Sequence, residues 1–182
     1  ARDWWLAERA LTLIAPTFAA QQKPDSAAIE RLLGDALRSG QPFPDDPQAA
    51  LLKDEPGLEI HLVAHSAGVL MVVHWASRYQ RPIKGALLAA PPDLNATWPD
   101  NYPTPDSLRA NAWAPLPSGP LPFPSILAAS TDDYLASFAA ATAMAEQWGS
   151  ELVNLGAVGH LNPASGFGEW PQAQTFIRSL DR

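Results

Sequence analysis

The chain contains no cysteine at all. A disulfide framework and a thiolate zinc site are therefore excluded from the start. Basic residues are also scarce, with 12 Lys and Arg against 19 Asp and Glu, for a net charge of −7. No Lys/Arg-rich run exists, so the electrostatic footprint of a nucleic-acid binder is missing. The acidity is read as a solubility feature rather than as a partner signal. No apolar run approaches the roughly 18–20 residues of a membrane span. The opening Ala1-Arg2-Asp3-Trp4-Trp5 has neither the basic nor the apolar region of a signal peptide, and no initiator Met. These absences lead us to expect a cytoplasmic protein that binds neither nucleic acid nor membrane, with a processed or truncated start. No His-Glu-x-x-His or similar ligand spacing is present, so no metal or other cofactor is expected.

What is present is a globular composition, 47% hydrophobic and 17% charged, without internal repeats. Its 182 residues suit one domain with a sizeable core. The 19 prolines point to long ordered loops, which often carry function. Leu11 to Ile14 is a short apolar run, either a strand or a helix end. Pro24-Asp25-Ser26 reads as a helix start, with a helix closing at Gly40, and residues 41–57 read as a loop. From residue 58 the pattern alternates: a strand at Leu58–Val63, a buried helix after Ser66, and a strand at Ile83–Ala90. After a proline-rich excursion over 91–124 come a strand at Ser125–Ala129 and a helix at Ala136–Trp148 stopped by Gly149. A strand at Glu151–Leu155 and a last helix at Pro171–Leu180 follow. Such alternation implies a mostly parallel sheet with helices on both faces.

Within that pattern, Val63-Ala64-His65-Ser66-Ala67-Gly68 runs from an apolar strand into an apolar helix. This is the context of a nucleophile elbow, in which a sharp turn lifts a Ser hydroxyl above the sheet. The usual Gly-x-Ser-x-Gly has Ala64 at its first glycine, the smallest possible departure. Ser66 is the candidate nucleophile, and the amide of Ala67 a candidate oxyanion donor at the helix N-terminus. The competing reading makes Ser66 an ordinary N-cap.

A hydrolase triad in this order needs an acid after a later strand and a His near the C-terminus. Asp132 and Asp133 follow the Ser125–Ala129 strand, and chemistry alone does not separate them; either is also a candidate N-cap for the next helix. His160 follows Gly159 in a late loop and is the only His after the acid candidates. His61 is expected to face the sheet, His65 to point away from the catalytic face, and His74 to lie too far along its helix.

Four stretches then carry a family resemblance: His61 to Gly68, Gly85 to Leu94 (Gly-Ala-Leu-Leu-Ala-Ala-Pro-Pro-Asp-Leu), Leu121 to Leu127, and Gly156 to Asn162, continued by Ser165 to Pro171. Together they resemble the small bacterial α/β hydrolases related to retinoblastoma-binding protein nine. The resemblance covers about residue 58 to the C-terminus. It implies a single α/β-hydrolase domain over 1–182 with no large cap. It also implies a Ser66, Asp133 and His160 triad and hydrolysis of small carboxylic esters through an acyl-enzyme. Asp133 is preferred by its spacing to Trp148-Gly149 and to His160, with Tyr134 standing where the family has Pro. One departure concerns the start. The Pro-Gly loop that follows the family's first strand, whose backbone supplies the second oxyanion donor, has no counterpart here. Either Leu11–Ile14 matches the second strand, or it is a displaced first strand with Pro16-Thr17-Phe18 in place of the loop.

Three rival readings follow. One is a weakly active or non-catalytic binding protein on this fold, with the aromatic-rich 94–124 segment as its docking surface rather than a substrate wall. The others are amide or thioester hydrolysis by the same triad.

Overall fold

The computed structural model describes residues 11–14, 60–80, 82–100 and 102–181, the first of these as backbone only. The expected helix before Gly40, the 41–57 loop, Trp4-Trp5 and Pro16-Thr17-Phe18 lie outside the described residues.

Among the described residues five strands form one sheet in sequence order. They are β1 (Leu11–Ile14), β2 (His61–His65), β3 (Gly85–Ala89), β4 (Ser125–Ala129) and β5 (Glu151–Asn154). Strands β2 to β5 are parallel, and β1 lies antiparallel against β2, pairing Leu11 with Ala64 and Ile14 with His61. The Leu11–Ile14 run is thus a strand. Strands β3 and β4 are buried along their whole length, which explains why both read as continuous apolar runs instead of alternating ones.

Among the described residues four α-helices accompany the strands: α1 (Ala67–Arg78), α2 (Pro105–Ala110), α3 (Phe138–Trp148) and α4 (Gln172–Ser179). Strand order that advances one place at a time, joined by right-handed crossovers, puts successive crossover helices on one face. Side chains of alternating strand positions confirm this. Leu62, Ala64, Ala86, Leu88 and Leu127 share a core with Val69, Val72 and Val73 of α1 and with Ala141, Met144, Ala145 and Trp148 of α3. Leu87, Ile126 and Ala128 point the other way, where Ala173, Phe176 and Ile177 of α4 and the following Leu180 cover them.

Helix α1 is apolar on more than one side, and both sides are used. Its Leu70 and Met71 pack against Leu94, Leu108, Trp113 and Trp98 of the 91–124 segment. This double burial makes a helix from Val69-Leu70-Met71-Val72-Val73, whose β-branched residues argue locally for a strand. The segment itself holds α2, whose short helical stretch the proline-rich sequence obscures. Thr104 caps it, accepting from the Ser107 amide at 3.2 Å. Helix α3 starts at Phe138, two residues later than its sequence suggests, because the Ser137 hydroxyl accepts from the Ala140 amide at 3.1 Å and caps it there. Gly149 ends α3 in the left-handed region, φ 68°.

Gly85 opens β3 directly beneath the end of α4. A Cβ at this position would lie 2.7 Å from Leu180 Cβ, closer than packed carbons approach. Gly85→Ala is expected to push Leu180 off the sheet and cost about 1–3 kcal/mol of stability. Urea unfolding of the two proteins measures this as a lowered midpoint with an unchanged slope.

Candidate active site

Parallel pairing places the C-terminal ends of the strands on a common edge, with His65 opposite Ala89 and Ala89 opposite Ala128. The chain segments that leave this edge carry the candidate residues: Ser66 after β2, Asp132 and Asp133 after β4, and His160 after β5. Crevices at this edge are where α/β folds place their ligands.

Ser66 has φ 56° and ψ −127°, a region that costs a non-glycine residue of order 1–3 kcal/mol. The turn is held by its amide, which donates to the Ala89 carbonyl at 2.9 Å, and by its carbonyl, which accepts from the Val69 amide at 2.9 Å. Ala64, only 1% exposed, is packed into the core beside the turn, so the small residue there is a steric requirement. The N-cap reading of Ser66 fails on geometry. Its side chain makes no capping bond, whereas Thr104 and Ser137 at the starts of α2 and α3 both do. The Ser66 hydroxyl instead lies 2.8 Å from His160 Nε2.

His160 is fully buried. Its Nδ1 lies 2.8 and 3.0 Å from the two carboxylate oxygens of Asp133. With Nδ1–H donating to Asp133, Nε2 is left to accept from the Ser66 hydroxyl. Asp133 Oδ1 also accepts from the Leu135 amide at 2.9 Å, which fixes the carboxylate.

Asp132 has a different task from its neighbour. Its Oδ1 accepts from the Ser130 hydroxyl and from the Gly159 amide, each at 2.7 Å. These bonds, the Ser130 hydroxyl first, hold its carboxyl below the usual carboxylate range. It caps no helix, since Ser137 does that. It ties the β4 loop to the loop that carries His160. A second tie comes from Ser165, whose hydroxyl accepts from the His160 amide at 3.1 Å and donates to Asn162 Oδ1 at 2.9 Å. Gly159 has φ +57°, and a Cβ on it would clash with the Ser165 Oγ. Two constraints therefore require glycine immediately before His160.

The remaining histidines separate clearly. His61 is buried at the far end of β2, its Nε2 3.1 Å from Asp181 Oδ1, too poorly aligned to count as a hydrogen bond. His74 lies within α1, its Nε2 3.1 Å from the Trp113 carbonyl, away from Ser66. His65 corrects the sequence expectation. Its ring does not turn away from the site: Nε2–H donates to the His160 carbonyl at 2.8 Å, and the two ring centres are 5.0 Å apart. The facing rule fails because His65 ends its strand, and the His160 loop folds across that end. No sequence signal marks this contact beyond the adjacency of His65 to Ser66. Sequence reasoning also passed over Tyr134 as a site neighbour. It is 47% exposed, with its ring 5.4 Å from that of His160 and its hydroxyl 3.0 Å from that of Tyr102. Trp113, by contrast, is core.

Chemically, this is a hydroxyl on a strained turn, bonded to an imidazole that a buried carboxylate orients. A family model of serine hydrolases matches residues 49–179. The chain belongs to the serine hydrolase family. Among solved structures, a protein of Pectobacterium atrosepticum designated a YdeN-like hydrolase is similar. It shares 30% identity over 66% of this chain and 60% of its own length, with a TM-score of 0.53. A carboxylesterase of Bacillus cereus matches at 16% identity over 65% of this chain and 48% of its own, with a TM-score of 0.38, too low to carry weight. The chain thus spans less than two thirds of each of these structures. No functionally curated protein matches it. With the sheet and helices described above, the serine hydrolase has a small α/β-hydrolase fold. Among its described residues, no helix is long and apolar enough to cross a membrane. Likewise, no group of three or more His, Asp or Glu among them is placed to hold a metal ion.

Burial, and secondarily the nearby His160, lowers the His65 pKa from 6.5 to about 4. The unfolded chain therefore takes up a proton between these pH values that the folded protein does not. Stability falls as pH drops from about 6.5 towards 4. His74, also lowered by burial, acts in the same direction. His65→Gln should make the loss shallower without abolishing it, as measured by urea midpoints from pH 4 to 7.

Proposed function

We propose that this serine hydrolase cleaves small carboxylic esters through a triad of Ser66, His160 and Asp133. The observation that carries the reading is the 2.8 Å contact between Ser66 Oγ and His160 Nε2, made from a backbone turn that serves no capping purpose. In this scheme Ser66 Oγ bonds to the ester carbonyl carbon as His160 Nε2 takes its proton. Asp133 holds the imidazole tautomer and stabilises the imidazolium. The amide of Ala67, first in α1, donates to the oxyanion, and the helix N-terminus favours the negative charge. Collapse breaks the bond to the alcohol oxygen, which leaves with the proton from His160. Water, deprotonated in turn by His160, attacks the acyl-enzyme, and the acid is released with Ser66 restored. No metal or cofactor enters any step. The substrate is a small molecule; nucleic acid and membrane have no part in the scheme.

Esters are proposed because the family resemblance implies them, and small substrates because no large cap domain is inserted among the described residues. Comparing p-nitrophenyl esters, thioesters and peptides addresses this directly. On p-nitrophenyl acetate, Ser66→Ala is expected to lower kcat by at least about 10³-fold and Asp133→Asn by about 10⁴-fold. Asp132→Asn, which weakens a loop tether only, should cost about tenfold or less. Equal losses in the two aspartate variants would refute the assignment of Asp133 as the acid.

A further inference from the structure

Among the partly buried titratable groups, His65 has no part in the scheme above, yet it touches the base. Its Nε2–H donates to the His160 carbonyl at 2.8 Å, and it immediately precedes Ser66 in the chain. We propose that His65 is a positioning residue, a clamp that fixes the separation of Ser66 and His160 by binding the backbone of the base. The inference rests on the proposed ester hydrolysis and adds a residue to it.

The clamp closes a ring. One limb is the contact between Ser66 Oγ and His160 Nε2; the other is the bond from the His65 ring to the His160 carbonyl. Ser66 and His65 are joined by a peptide bond, so a shift of the His160 loop away from β2 must break both limbs. The other ties on this loop come from elsewhere. The Asp132 carboxylate holds the Gly159 amide, and the Ser165 hydroxyl holds the His160 amide. They anchor the loop to β4 and to itself, and neither sets its distance from Ser66. Leu161, which follows the clamped carbonyl, has φ 49°. The backbone at this point is thus in a conformation that needs external support.

The clamp must also remain uncharged. His65 sits 5.0 Å, ring centre to ring centre, from the residue that becomes an imidazolium. A cation at His65 would oppose that charge, with Asp133 the one carboxylate among the described residues that acts on it. Burial and the proximity of His160 disfavour a proton on His65, and only its bond to the His160 carbonyl and the Asp133 charge favour one. The neutral ring with hydrogen on Nε2 makes the observed bond without placing a second positive charge beside His160.

The test uses three substitutions. Gln places an N–H near the position of the ring Nε2, Asn is too short to reach the His160 carbonyl, and Phe keeps the ring without a donor. With p-nitrophenyl acetate, the Asn and Phe variants should lose at least about tenfold in kcat, with KM within about twofold. His65→Gln should recover to within about threefold of wild type. Circular dichroism melts establish that the compared proteins are folded. If His65→Phe does not fold, the Gln and Asn pair decides the question. Retention of kcat within about twofold in His65→Asn, or an equal loss in Gln and Asn, would overturn the clamp alone. A folded wild type with no esterase activity and no reaction with a fluorophosphonate would overturn the ester chemistry and the clamp together.

Discussion

The contact between the Ser66 hydroxyl and His160 Nε2 joins residues 94 positions apart in sequence, and much of the described structure serves to make it. The Ser66 backbone sits at φ 56°, at a cost of order 1–3 kcal/mol. Two main-chain bonds, to Ala89 and from Val69, offset part of that cost. Helix α1 supplies the rest of the support, since it is buried against the sheet on one side and against the 91–124 segment on the other. A turn so anchored at both ends cannot relax into an ordinary helix start. Its hydroxyl is left to a partner outside the helix.

The partner is held by a different strategy. His160 stands in a loop rather than on a helix, and its position depends on polar ties to the main chain around it. Asp132 receives the Gly159 amide, Ser165 the His160 amide, and the His160 carbonyl receives His65. Asp133 orients the ring itself. Two adjacent aspartates thus divide the work, one holding the backbone and the other the imidazole. This division of roles follows from the end of β4, where Ser130 turns the chain so that successive carboxylates reach different parts of the same loop.

Much of this was legible in the sequence. The strand and helix alternation from residue 58 gave the parallel sheet, because strands buried on both faces are continuous apolar runs and α3 has a clear glycine stop. The elbow was legible from small residues at positions 64, 67 and 68 between two apolar segments. His160 followed from chain order. The choice between Asp132 and Asp133 was not available from local chemistry, since both are short carboxylates in one loop. Family spacing pointed to Asp133, the aspartate that lies against His160. The helix at Pro105–Ala110 was hidden by flanking prolines, one of which occupies its first turn. The His65 contact was hidden because strand alternation describes faces, and a residue at a strand end meets whatever loop crosses the edge. Pro16-Thr17-Phe18, the sequence's one candidate for a second oxyanion donor, lies outside the described residues.

The central claim is that Ser66 is an activated nucleophile. Its most direct test is mass-spectrometric mapping of the folded protein after treatment with a fluorophosphonate. The account requires one stoichiometric adduct on the peptide that contains Ser66, with labelling lost in His160→Ala although Ser66 is retained. An adduct on another residue, or none on a folded protein, would contradict it.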